Sequence, residues 1–375
     1  MKTNEIIKAY GTEYEEMTIA ILEAANLYED INKKAKLLNK SIEEMRVALK
    51  PNLVSPTPAD YGATTHPEVA TGIIKYLQAK GLKNICIMEG SWIGDKTSDS
   101  FEFCGYNRIA DEYGVTLIDA QMSPGIKTDC LGMELNVCEC VKECDFFINI
   151  PVLKGHCQTK ITCALKNVKG LVPNDEKRRF HTLEIHKPLA CLNTYIEQDY
   201  IVVDHICGDA YYEGGGTPRI TNCVYVGRDP VAIDAYGAML LGIDPMDVEY
   251  IRRSAEFEVG NPDITALEIR TVYGVDNESV MIRRDTDVEK FYSEKKCCSA
   301  CLAALHKALQ QLVQEGLIND DCALTEPICA GQGYKGHTGK YGSGDCTGGF
   351  EVTVKGCPPK YEDIYDTYKK YLIQP

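Results

Sequence analysis

The chain has 375 residues, 44% hydrophobic and 25% charged, and its 40 basic and 55 acidic side chains give a formal net charge of −15. This is globular composition, with length enough for two domains that each bury a core. So acidic a surface argues against nucleic-acid binding, and any basic patch has to be local.

Eighteen cysteines would suit a disulfide framework in a small secreted protein. Here the N-terminus MKTNEIIKAYGTEYEE places charges where a signal sequence has its apolar run, and no segment reaches the ~20 apolar residues of a membrane span. The expectation is a cytoplasmic protein with reduced thiols and no membrane partner. Heavy cysteine use points to an anaerobic cell.

Residues 1–45 read as a helical N-terminal extension, with Ile19, Ile21, Leu22, Leu27 and Ile31 spaced along one apolar face among Glu and Lys. Its suggested role is packing against the body or a second copy, which leaves a homo-oligomer open. From Arg46 the pattern changes. RVALKPNLV is a strand ending at Pro51 and Asn52, PEVATGIIKYLQAKG a helix with Pro67 in its first turn and Gly81 as its stop, NICIMEG a strand, FEFCGYNRIADEYG a helix and VTLID a strand. This alternation predicts an α/β core over 46–265, a mostly parallel sheet flanked by helices.

Ligands of such sheets sit beyond the carboxyl ends of the strands. Lys50, Asn52, Thr65 and His66 follow the first strand, and Glu89, Gly90 and Ser91 the second. Turn and cap chemistry would explain them equally well. Next, DFFINIPVLKGH is an apolar strand that leads into the most polar stretch of the chain. Between Lys154 and His181 stand Lys154, Lys160, Lys166, Lys169, Lys177, Arg178 and Arg179 against only Asp175 and Glu176. A solvated helix face is the bland explanation. The interleaved Gly155, Gly170, Thr159, Thr162 and Asn167, however, let amides and hydroxyls close on an anion. His156, directly after the strand, is the candidate proton-transfer group or ligand, beside Lys154 and a Cys157 that an adjacent histidine would activate.

PVLKGHCQTKITCALKNVKGLVPNDEKRRFH, together with KPNLVSP, TTHPEV, the FEFCGY helix and VGRDPVAIDAYGAMLLGIDP, closely resembles the bacterial and archaeal family called domain of unknown function 362. The likeness spans about Arg46 to Asp263. It implies an α/β family rich in anaerobes, often joined to iron–sulfur modules and suspected of redox or cofactor work.

Further along, YIVVDHICGD reads as a strand ending at Asp204 and His205, and Gly214, Gly215 and Gly216 as a loop flexible enough to approach an anion or simply to turn. In NCVYVGRDPVAIDAYG, Asp229 caps a helix begun by Pro230, and Arg228 joins the anion-site candidates. IRTVYGV to DVEKFYSEKK reads as a connecting strand and linker, the start of a C-terminal module over 266–375.

That module carries Cys298 and Cys301 in CSAC at the start of an amphipathic helix, Cys346 in GSGDCTGGF and Cys357 in KGCPP. A helix N-terminus favours thiolates, and small neighbours let backbone amides approach cluster sulfides. Structural zinc is the competing explanation, but it normally uses two close cysteine pairs, and only one exists here. C-x2-C, then G-x-C-x-G-G, then G-C-P-P is similar to the proximal-cluster module of nickel–iron hydrogenase small subunits and the related quinone-reductase subunit, over residues 297 to about 364. The resemblance implies Cys298, Cys301, Cys346 and Cys357 as ligands of a 4Fe–4S cluster, with Cys297 able to replace Cys298.

The expectation is therefore an iron–sulfur oxidoreductase that acts on, or delivers electrons to, a small anionic molecule, with the cluster near the anion pocket. Since one cluster passes single electrons, two-electron chemistry would require radical steps, a second carrier such as a flavin, or two turnovers. Two alternatives stand beside it. One is an electron-transfer or cluster-carrier protein whose basic stretch docks an acidic redox partner. The other is a non-redox isomerase or transferase with a structural cluster.

Overall fold

Runs such as VALKP and ICIME are buried along their whole length, which a strand achieves only inside a sheet covered on both faces. The computed structural model describes residues 1–276, 288–319 and 324–373 and divides into two units, Met1–Arg283 and Arg284–Pro375.

In the first unit the strands are Glu5–Tyr10 (β1), Val47–Pro51 (β2), Ile85–Glu89 (β3), Thr116–Asp119 (β4), Gly125–Cys130 (β5), Met133–Cys138 (β6), Phe146–Ile150 (β7), Lys154–His156 (β8), Lys160–Thr162 (β9), Tyr200–Asp209 (β10), Pro218–Gly227 (β11) and Glu268–Tyr273 (β12). Eight of them form one sheet in the order β12-β1-β11-β10-β7-β2-β3-β4, while β5 pairs β6 and β8 pairs β9 as separate hairpins. From β10 through β7, β2 and β3 to β4 the neighbours are parallel. β11 runs antiparallel to β10 and β1. Alternation along each strand feeds two cores: Ala48 and Phe147 join one, and Val47, Leu49 and Ile148 the other. This is the α/β architecture that the strand–helix alternation predicts.

Three expectations are corrected. Residues 1–45 are not a helical extension: EIIKAY is β1, inserted between β11 and β12. The helices Tyr14–Ala24 and Leu27–Leu38 that follow bury Met17, Ile21, Leu22, Leu27 and Ile31 in the core. IRTVYGV is a strand, as expected, but it does not merely connect: it forms β12 and lies parallel to β1 at the edge of the main sheet. Finally, β10 does not stop at Asp204 and His205 but continues to Asp209.

The second unit holds a four-stranded parallel sheet, Tyr292–Glu294 (β13), Ile328–Ala330 (β14), Tyr341–Ser343 (β15) and Val352–Val354 (β16). Helices Ser299–Gln314 and Tyr361–Ile373 pack together, and the Tyr368 hydroxyl donates to the Gly342 carbonyl at 2.8 Å. Among the described residues no helix is long and apolar enough to cross a membrane, and no cysteine is bridged in a disulfide.

Candidate functional site

The carboxyl ends of the parallel strands β2, β3 and β7 carry the polar residues that a ligand would meet. Lys50, 1% exposed, places Nζ 2.7 Å from Glu89 Oε1 at the end of β3 and 2.9 Å from the Pro51 carbonyl. Glu89 also accepts the Leu53 and Gly90 amides at 2.8 and 2.7 Å. Lys177 Nζ donates to the Gly90 and Ser91 carbonyls, both at 2.9 Å. Gly170 closes on this pair so tightly that a Cβ there would stand 2.5 Å from Glu89 Oε1 and 2.8 Å from Lys50 Nζ.

The residues after β2 and β7 interlock. The Asn52 amide donates to Thr65 Oγ1 at 2.7 Å, and Thr65 Oγ1 donates to the Ile150 carbonyl at 2.8 Å. Asn167 Nδ2 reaches the Lys50 carbonyl at 3.1 Å and Asn149 Oδ1 at 2.7 Å. Lys154, at the start of β8, donates to Asn52 Oδ1 at 3.3 Å, to the Glu213 carbonyl at 2.7 Å and to the Ala63 carbonyl. Lys50, Asn52, Thr65, Lys154 and Asn167 thus belong to one buried network.

Above it the lysines crowd one another. Burial, then the neighbouring Lys166, push Lys154 down to about 7. Burial pushes Lys166 down to about 8 against the pull of Glu213. Lys169 falls to about 7 through burial and its neighbours Lys166 and Lys177. Lys166 and Lys169 keep part of their surface exposed. Cations forced together in a low dielectric favour a bound anion, which restores each ammonium.

A loop from β10 supplies the chemistry. Asp209 Oδ1 accepts the Tyr211 and Tyr212 amides at 2.8 and 2.9 Å, and Oδ2 accepts the amide and hydroxyl of Thr217 at 2.9 and 2.8 Å. Gly215, at φ +71°, lies against Tyr61 where a Cβ would strike the Tyr61 carbonyl at 2.3 Å. This turn delivers Glu213 to the hairpin β8–β9. Its Oε1 lies 3.3 Å from Cys157 Sγ and 3.7 Å from His156 Nε2, and its Oε2 accepts the Cys157 amide at 3.3 Å. His156 Nδ1 accepts the Gln158 and Thr159 amides at 2.9 and 3.2 Å. Those donors assign the neutral ring proton to Nε2, facing Glu213.

His156, Cys157 and Glu213 offer donor atoms within 4.8 Å of one another and are of types that bind zinc. Two features argue against a cation. A metal on Nε2 would need a proton on Nδ1, where two amide donors already point, and Glu213 is counter-ion to Lys154, Lys166 and Lys169. The trio suits proton transfer better.

Other expected residues lie apart. His66 binds Asp204 Oδ2 through Nδ1 at 2.8 Å and through its amide at 2.7 Å. Burial works against its charge, but Asp204 raises it to about 10, so it is a structural cation. Arg228 is removed from the site: it reaches the Asp199 and Met1 carbonyls at 3.4 and 3.5 Å. The physical reason is direction, since antiparallel β11 ends opposite Ile201, at the start of β10. Lys160 opens β9 at φ +65°, paired across the hairpin with His156. The side chain of His181 lies outside the described residues. Glu213 was missed from sequence, and its one signal is an acidic residue placed directly before the three glycines.

In the second unit, Cys298 precedes helix Ser299–Gln314 and Cys301 lies in its first turn. Cys346 sits in the turn Asp345–Thr347, and Cys357 follows β16. Burial first, then Cys298, Cys357 and Cys346, push the Cys301 thiol up to about 12. Burial, then Cys298 and Cys357 among its neighbours, raise Cys346. The four sulfurs therefore share one electrostatic neighbourhood. Gln332 Nε2 approaches Cys298 Sγ at 3.6 Å, and Gly344, at φ +89°, faces Cys301 Sγ where a Cβ would come to 3.9 Å. Four repelling thiols among small residues fit a positively charged metal centre that relieves the repulsion.

The sequence model of the family described as domain of unknown function (DUF362) matches residues 47–239, more than half of the chain. A thylakoid-associated protein of Synechocystis sp. is 25% identical over 214 residues, which cover 54% of this chain and 65% of that protein, less than two thirds of its length. Among solved structures, the lactate racemase apoprotein from Thermoanaerobacterium thermosaccharolyticum gives a TM-score of 0.40 at 15% identity, covering 63% of this chain and 57% of that one. A protein from Thermotoga maritima gives 0.32 at 14% identity, over 66% and 60%.

Proposed function

The chain belongs to the family described as domain of unknown function (DUF362), a name that carries no activity, and we propose from its own residues an iron–sulfur enzyme that binds a small anion and moves a proton on it. The observation that carries this reading is Glu213, set against Cys157 and His156 at the edge of the cluster Lys154, Lys166 and Lys169.

Lys166 and Lys169 bind the anion, and Lys154, held by three acceptors, fixes the floor beneath it. Glu213 accepts a proton from the bound molecule. The Nε2–H of His156 and the thiol of Cys157 orient Glu213 and return a proton to the product. Cys298, Cys301, Cys346 and Cys357 would hold a 4Fe–4S cluster, which would supply single electrons when bound. Zinc fits these four less well: tetrahedral thiolate zinc brings sulfurs to roughly 3.8 Å of one another, whereas among the described residues the tight donor group within 4.8 Å is His156, Cys157 and Glu213.

The same proton-handling trio also serves a non-redox isomerase with a structural cluster, because Glu213 and His156 complete a proton transfer without an electron. Turnover with the cluster held oxidised separates the two, since an isomerase keeps its rate and an oxidoreductase loses it. The test of the shared reading is purification without oxygen, followed by iron and sulfide analysis and by titration with oxalate and phosphate. Bound iron and sulfide together with saturable anion binding support the proposal. A colourless zinc protein that binds neither anion contradicts it.

A further inference from the structure

A cavity of about 430 Å³ lies in the first unit, across β1, β10, β11 and β12 rather than at the ends of β2, β3 and β7. Lys8, Tyr10, Tyr225 and His205 line it from the strands, and Tyr236 and Met239 from helix Pro230–Leu240. Its size is that of a small-molecule pocket.

Its charges cancel. Lys8, 4% exposed, is paired with Asp276 Oδ2 at 2.6 Å. His205, 3% exposed, is kept neutral: burial pushes it down to about 4, Asp204 opposing and Lys8 assisting. Tyr225 and Tyr236 meet edge to face at 5.5 Å between ring centres and give the cavity an aromatic wall.

Three polar atoms within this wall are unsatisfied, the Tyr225 hydroxyl, His205 Nδ1 and Asp276 Oδ1. Among the described residues none of the three has a hydrogen-bond partner, although all are buried. A buried carboxylate oxygen requires a donor, and orphaned groups of this kind in a roomy cavity mark a missing ligand or water. With Lys8 and Arg270 each already paired to a carboxylate, a neutral ligand suits the cavity better than a simple ion, and aromatic walls favour a flat ring.

We propose that this cavity is a second binding site, for a neutral planar heteroaromatic molecule of nucleobase size, which offers an N–H to Asp276 Oδ1 and a ring nitrogen or N–H to His205 Nδ1. The site is independent of the lysine pocket and of the activity proposed for it.

Adenine is the probe, with benzoate as a planar anion of comparable size, and the full chain is observed by saturation-transfer NMR and calorimetry. Saturable adenine binding is expected, unaffected by inorganic phosphate, with Kd raised about tenfold in His205→Leu through loss of one buried hydrogen bond. Met239→Trp fills the cavity while leaving every polar group in place, and should abolish binding in a protein of unchanged circular dichroism. That variant decides the matter if His205→Leu does not fold. The proposal is overturned if wild-type protein does not bind adenine, if benzoate binds as tightly, or if folded Met239→Trp binds adenine as the wild type does.

Discussion

Glu213 Oε1 stands 3.3 Å from Cys157 Sγ, although 56 residues separate the two in sequence. The contact exists because Asp209 folds residues 210–217 into a turn with four hydrogen bonds. It brings an acid beside a thiol and a histidine at the rim of a lysine cluster.

Glu213→Gln keeps the shape and removes the base. Turnover should fall about 10²–10⁴-fold, the range for loss of a positioned general base. Anion affinity should hold or rise, because the counter-ion to Lys154, Lys166 and Lys169 is gone. Steady-state rates and calorimetric Kd values measured on the same preparation check both halves.

Anion binding should depend on pH with a defined sign. Lys169 and Lys166 lie near about 7 and about 8, well below the ordinary lysine value, so they are charged at pH 6 and largely neutral by pH 9. Affinity should fall as pH rises through that window. At pH 8 the anion restores the charged forms, and binding should take up protons, read from calorimetry in buffers of different ionisation enthalpy.

Gly170→Ala tests the packing of the buried ion pair. The new methyl would meet Glu89 Oε1 and Lys50 Nζ at 2.5 and 2.8 Å, and one of the two must move. A loss of about 1–3 kcal/mol is expected, measured by denaturant unfolding, together with weaker anion binding.

In the second unit, Cys301→Ser and Cys346→Ser should each lower bound iron and sulfide sharply. Cys297→Ser should retain them, since Cys298 stands at the helix start beside Gln332. Iron analysis of protein prepared without oxygen distinguishes the three variants.

Much of this was legible in the sequence. VALKP and ICIME declare buried parallel strands by continuous apolar runs, and the polar residues after them fall at strand ends, where Lys50, Asn52, Thr65 and Lys154 interlock. β1 was not legible, because EIIKAY is short, is followed by helices and reads as the start of their amphipathic pattern. β12 reads as a strand, but its place in the main sheet was not legible, because an exposed edge strand with little alternation looks like a connection. Arg228 was misplaced because a motif gives spacing but not strand direction. Glu213 resembles any acid in a glycine-rich turn until Asp209 is seen to organise the loop, so its role is a property of tertiary contact alone.

The most direct measurement is calorimetric titration of the full chain with oxalate at pH 7, comparing wild type with Lys166→Ala/Lys169→Ala. Saturable binding in the wild type, weakened at least about tenfold by the double substitution, is the predicted result. No oxalate binding to folded wild type, or equal affinity in the two proteins, would contradict an anion site at these lysines.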